Sequence, residues 1–92
     1  MKIRWTDTAL QDLESLHAYV AQDSDNAAAK IVTRILAGLD AVKRFPGMGR
    51  KGRVAGTREL VIPPFIVVYR VKKDAVELLA IIHGARRWPD PF

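Results

Sequence analysis

The sequence predicts an α+β domain: a short N-terminal strand, an antiparallel helical hairpin, then a three-stranded antiparallel β-meander, stacked as two layers. Three observations predict it. Apolar residues recur at spacings of three and four from Leu10 to Val42, the period of a helix with one buried face. Beyond residue 56 the pattern changes to short apolar runs separated by turn residues, the signature of hairpin strands. Finally, 92 residues have room for one core, so helices and strands must share it and residues 1–92 are expected to form a single domain. Apolar residues make up 49% of the chain, enough to fill such a core and too many for a disordered segment.

Each element follows from its own residues. Lys2-Ile3-Arg4-Trp5 alternates polar and apolar, which suits a half-buried strand. Thr6 or Thr8 offers an N-cap to the next segment, and Thr8 with Gln11 has the spacing of a capping box. Leu10, Leu13, Leu16 and Val20 form the apolar face of a first helix that runs to about Gln22. The stretch Asp23-Ser24-Asp25-Asn26 interrupts the pattern, and Ser24 or Asp25 caps a second helix. Ala28, Ile31, Ile35, Leu39 and Val42 are its buried stripe, and the short link makes the pair a hairpin. Phe45-Pro46-Gly47 ends it, because proline lacks the N–H that a further turn needs. Residues 47–56, GMGRKGRVAG, read as a flexible basic loop; the glycine spacing fits no nucleotide-binding fingerprint. Strands are expected over residues 57–62, 65–71 and 75–82, joined by Pro63-Pro64 and Lys72-Lys73-Asp74.

The net charge of +5 is unevenly placed. Residues 43–92 hold eleven Lys/Arg and four Asp/Glu, a sum of +7, whereas residues 1–42 sum to −2. A basic field of this kind attracts nucleic acid or an acidic protein. There is no cysteine, so disulfides and thiolate metal sites are excluded. Neither histidine, His17 or His83, has a ligand-spaced neighbour, so no metal and no cofactor is expected, and His17 reads as a residue bordering the apolar stripe. The polar N-terminus gives no secretory signal, and no apolar run approaches the roughly 20 residues that span a bilayer. The expectation is a cytoplasmic protein without a membrane partner.

No serine lies in a nucleophile context. What remains is a basic set: Arg50, Lys51 and Arg53 in the loop, Arg58 and Arg70 on strands, and His83, Arg86 and Arg87 after the last strand, followed by Trp88. Period-two counting puts Arg58 and Glu59 on opposite faces, and likewise Tyr69 and Arg70. Such a set can bind a phosphodiester, and with a base, an acid and charge stabilisation it can cleave RNA. Equally, arginines on a small sheet can pair with a partner's carboxylates or with helix ends.

Four stretches, ALQDLESLHAYVAQD, FPGMGRKG, GTRELVIPPFIVVYRV and VELLAIIHGARRW, together with the order strand, helical hairpin, meander, resemble the RelE/ParE superfamily, the toxins of bacterial type II toxin–antitoxin pairs. The resemblance implies a growth-arresting, plasmid-stabilization type of toxin held inactive by a cognate antitoxin, the pair repressing its own operator DNA. It also implies one of two targets, or else a degenerate toxin that acts only in antitoxin binding and operon autoregulation. RelE-type members cut mRNA on the ribosome; ParE-type members inhibit DNA gyrase. The nucleases typically carry an arginine in the middle strand and a tyrosine or histidine near the C-terminus. Here Ile66 stands at the arginine's place and Trp88 near the other, so the resemblance leans toward the ParE-like branch and away from an enzyme. Losing a stabilising guanidinium at a catalytic centre costs about 2.7–4 kcal/mol. An indole can stack on a base but cannot act as an acid or base at neutral pH. On the nuclease alternative, Arg58, Arg70, His83 and Arg86 would carry the chemistry. On either branch Arg58, Arg70, His83, Arg86, Arg87 and Trp88 are the expected target or partner contacts.

Overall fold

The computed structural model describes residues 1–84. The element order is β1 (Lys2–Trp5), α1 (Asp7–Ala21), α2 (Asp25–Arg44), β2 (Arg50–Lys51), β3 (Arg58–Ile62), β4 (Phe65–Val71) and β5 (Ala75–His83), with one 3-10 turn at Pro46–Met48. The α+β expectation holds. The sheet has five strands rather than four, in the order β1-β5-β4-β3-β2. The extra strand lies in the stretch read as a flexible loop: Arg50 and Lys51 pair with Glu59 and Arg58. Two paired residues are too few to show a period, so no local pattern announces them. All pairings are antiparallel except β1 with β5, which is parallel and joins Lys2–Trp5 to Ala75–Leu78.

The two helices cover one face of the sheet, α1 packing on β5 and α2 on β3. Ile35, Leu39 and Val42 of α2 and Ala9 and Leu16 of α1 meet Leu60, Ile62, Phe65, Val67, Tyr69, Val76, Leu78 and Ile81 in one core. Leu10, expected in that stripe, is 45% exposed, and Ala9 takes the buried place at the start of α1. Gly38 lets α2 run close to the sheet, since a Cβ there would stand 2.9 Å from both Leu60 and Ile62 side chains. The outer face carries a second, separate apolar cluster: Ile66, Val68, Ala80 and Ile82. A β-bulge makes both clusters possible from one uninterrupted apolar run. Val68 faces Ala80 and Tyr69 faces Leu78, so Leu79 is the extra residue, and the inward positions shift from Val76 and Leu78 to Ile81.

Thr6, not Thr8, caps α1. Its hydroxyl accepts from the Ala9 N–H at 3.1 Å and donates to the Leu78 carbonyl at 2.7 Å. Thr8 is exposed within the first turn. Ser24 caps α2 by accepting from Ala27 N–H at 3.1 Å. Where β5 outruns β1, Asp12 of α1 accepts the Ile81 N–H at 2.9 Å, satisfying a donor on the open edge. Thr6→Ala is therefore expected to cost about 1–2 kcal/mol in urea unfolding, and Thr8→Ala less than about 0.5 kcal/mol.

Candidate functional site

Two charged clusters lie on the outer face of the sheet, each a glutamate of the meander between arginines. Glu77 of β5 pairs across strands with Arg70 and Arg4. Its carboxylate accepts from Arg70 at 2.7 Å and lies 3.9 Å from Arg4. Both guanidinium side chains stay substantially exposed, 45% for Arg70 and 64% for Arg4. The Arg70 hydrogen bond holds the Glu77 carboxyl below the usual glutamate range; partial burial works the other way, and the charges of Arg70, Lys72 and Arg4 assist.

The second cluster fixes the loop. Glu59 is buried, with a side chain 1% exposed. One carboxylate oxygen accepts from Arg50 Nε at 3.2 Å and Nη2 at 3.0 Å; the other accepts the Arg53 backbone N–H at 3.0 Å and lies 3.4 Å from Arg53 Nε. Burial pushes the Glu59 carboxyl up, but the Arg53 N–H, the Arg50 side chain and the two positive charges outweigh it and bring it below the usual range. A carboxyl whose folded value is depressed stabilises above its unfolded value and loses that contribution as pH falls through the folded one. Stability is accordingly expected to be level near neutrality and to decline once pH drops below about 4.3, the ordinary glutamate value. Denaturant titrations across that range should show a shallower decline for Glu59→Gln.

The two remaining strand residues point elsewhere. Arg58 faces the helical side, and its Nη1 donates to the carbonyls of Gly47 at 3.1 Å and Gly49 at 2.7 Å. Tyr69, fully buried, accepts the Gly49 N–H at 2.9 Å and donates to the Pro46 carbonyl at 2.7 Å. Together they clasp residues 46–49 to the sheet. A side chain at Gly49 would collide with the Tyr69 hydroxyl, its Cβ lying 2.5 Å away. His83 stands at the far end of β5, opposite Phe65, with the rings edge to face at 5.8 Å. Both line an open pocket of about 320 Å³ with Asp12, Leu16 and Tyr19 of α1.

The expected site residues among those described therefore divide among four places. Arg50, Arg53 and Arg70 share the outer face; Arg58 is engaged beneath the loop; His83 lies beside α1. Lys51 extends from β2 at the end opposite His83. Arg86, Arg87 and Trp88 lie outside the described residues. Arg70 and His83 occupy β4 rows five residues apart, facing Glu77 and Phe65 respectively, which is about 16 Å along a strand. Arg70 lies on the outer face with Glu77, whereas His83 meets Phe65 beside α1, so the structure does not bring the two together. Sequence reasoning missed the participation of Arg4, Glu59 and Glu77. A nearby signal was present: counting outward from the Lys72-Lys73-Asp74 turn sets Arg70 against Val76, one residue short of Glu77, the partner it has in the sheet. The parallel pairing that brings in Arg4 leaves no local mark.

This fold, with its basic sheet and clasped loop, is that of a type II toxin–antitoxin toxin. A family model for the ParE toxin of the type II toxin–antitoxin system, parDE, matches residues 3–88, and the chain belongs to this family within the RelE/ParE superfamily. It is 43% identical over 90 residues to Y4kP of Sinorhizobium fredii, named as a candidate toxin, covering 96% of this chain and 93% of that one. It is 31% identical over 85 residues to toxin RelE2 of Caulobacter vibrioides, covering 92% and 97%. A chain from the chromosomal ParDE toxin–antitoxin system of P. aeruginosa superposes with a TM-score of 0.78 at 30% identity, covering 90% of this chain and 95% of its own. No helix among the described residues is long and apolar enough to cross a membrane.

Proposed function

We propose that this toxin acts by inhibiting DNA gyrase, not by cutting mRNA, and that a cognate antitoxin holds it inactive in the cytoplasm. The observation that carries the reading is Ile66. At the place where the resemblance puts a nuclease arginine, the side chain is an alkyl group only 4% exposed, packed with Val68, Ala80 and Ile82. The middle of the sheet face thus has no charge to stabilise a phosphorane. The separation of His83 from Arg70 and the engagement of Arg58 with the loop support the same reading. So does the matching family model, which describes ParE toxins.

Antitoxin pairing is supported by the relatives, one of which comes from a ParDE toxin–antitoxin system. It is supported also by apolar side chains that the domain leaves open on its helical layer and the adjoining turn: Leu10, Tyr19, Leu36, Phe45 and Met48, 45–72% exposed. An antitoxin covering them stabilises the toxin, since anything bound only to the folded state does so. The pair, by this reading, also represses its own operator DNA. Induced expression without antitoxin tests the target. Filamentation with a DNA-damage response is the expected phenotype; rapid arrest of translation with intact nucleoids contradicts it.

A further inference from the structure

Charge is segregated between the two layers. The helical layer, residues 7–44, has six acidic and four basic side chains; among the described residues of the sheet layer, 1–5 and 46–84, there are three acidic and nine basic. On the outer face the excess is gathered at two points. Glu77 is ringed by Arg70, Arg4 and the charge of Lys72, and Glu59 by Arg50 and Arg53. Each carboxylate anchors its arginines and cancels only part of their charge. The two glutamates sit two strands and two residues apart, on β5 and β3, which sheet geometry converts to about 12 Å. Between them the surface is apolar: Val68, Ala80 and the bulge residue Leu79.

We propose that this face docks on the phosphodiester backbone of duplex DNA. About 12 Å is the width of the major groove, so each arginine cluster can meet one of the two backbones that border it. Guanidinium groups already oriented by a carboxylate lose little freedom on pairing with phosphate, and their planar donors suit it. Two alternatives fit less well. Single-stranded nucleic acid is gripped by stacking on aromatic rings. Every described aromatic residue lies elsewhere: Trp5, Phe65 and Tyr69 pack in or on the core beneath the helices, Tyr19 is on α1 and Phe45 ends α2. An acidic peptide added as a strand would run along a sheet edge, whereas the two clusters lie diagonally across the strands. The inference goes beyond the gyrase reading and does not depend on it, because the contact is between toxin and DNA alone.

The experiment is fluorescence anisotropy of a short labelled duplex with the full 92-residue chain, without gyrase or antitoxin. Single-stranded DNA and RNA of the same composition and a polyglutamate peptide serve as competitors. If Arg4, Arg70 and Arg50 each neutralise one phosphate, duplex affinity falls about 40-fold between roughly 50 and 200 mM salt. Arg70→Gln should weaken binding and reduce the salt slope by about 1. Glu77→Gln keeps an amide oxygen that can accept from Arg70 but removes the opposing charge, so it should tighten binding in a variant whose circular dichroism matches the parent. Arg34→Gln on the helical layer should change neither. Absence of duplex binding at low salt overturns the proposal. So does equal or better competition by the single strands or the peptide, or failure of Arg70→Gln and Glu77→Gln to shift affinity in opposite directions.

Discussion

Replacing Tyr69 with phenylalanine is expected to lower the unfolding free energy by about 2–4 kcal/mol, although the ring and its packing are retained. The hydroxyl links the Gly49 N–H to the Pro46 carbonyl, at 2.9 and 2.7 Å, from a side chain with no exposed surface. Without it, a buried N–H and a part-buried carbonyl both lose their partner, so the cost is that of two orphaned groups rather than one lost bond. Tyr69→Ala adds a cavity and should lose about 3–5 kcal/mol from packing alone. A domain of 92 residues holds a total of about 5–14 kcal/mol, so the alanine variant is expected near or past its folding limit at growth temperature. Urea denaturation followed by circular dichroism measures both. Equal midpoints for Tyr69→Phe and the parent would mean that the loop is not held by the phenol.

Leu78→Ala is expected to cost about 2–5 kcal/mol in the same assay. Leu78 is completely buried where three elements meet. It lies opposite Trp5 of β1 and Tyr69 of β4, and its carbonyl receives both the N–H and the hydroxyl of Thr6 at the start of α1. The variant leaves those backbone bonds in place but empties the space they enclose. The parallel seam between β1 and β5 should loosen first, read as faster amide exchange at Ile3 and Trp5 than at β3. Exchange that rises uniformly across the sheet would show instead that the seam does not open separately.

The fold was largely legible because its elements are amphipathic at the right period. The α2 stripe of Ala28, Ile31, Ile35, Leu39 and Val42 reads directly from spacing, and every one of these residues is buried or partly so. The meander strands agree with the expected spans to within a residue, since Pro63-Pro64 and Lys72-Lys73-Asp74 mark the turns chemically. What could not be read is non-local. β2 is two residues recruited by pairing with β3, and β1 reaches β5 across some 70 positions without a local signal. Thr6 wins the cap over Thr8 because it also meets Leu78 O, a partner known only once the sheet exists.

The candidate site was legible in its residue types and not in its arrangement. Period-two counting places Arg58 opposite Glu59 and Tyr69 opposite Arg70, and the structure agrees. It does not reveal that Glu59 is buried among arginines of the glycine-rich stretch, or that Glu77 joins Arg70 to Arg4. The basic residues that looked like one set serve different ends. Arg58 secures a loop, Arg50 and Arg53 hold a buried carboxylate, and Arg70 and Arg4 remain open on the outer face. Ile66 is the residue whose reading from the sequence bears most directly on function, and its surroundings are as apolar as its side chain.

The most direct test of the central claim is a gyrase assay with purified components. Toxin is titrated into a reaction in which gyrase supercoils relaxed plasmid, alongside a translating extract in which mRNA ends are mapped. The account predicts that supercoiling falls, or that cleaved gyrase–DNA complexes accumulate, as toxin reaches micromolar concentration, and that the antitoxin reverses the effect. Unaffected supercoiling together with new cuts in translated mRNA at the ribosomal A site would contradict it.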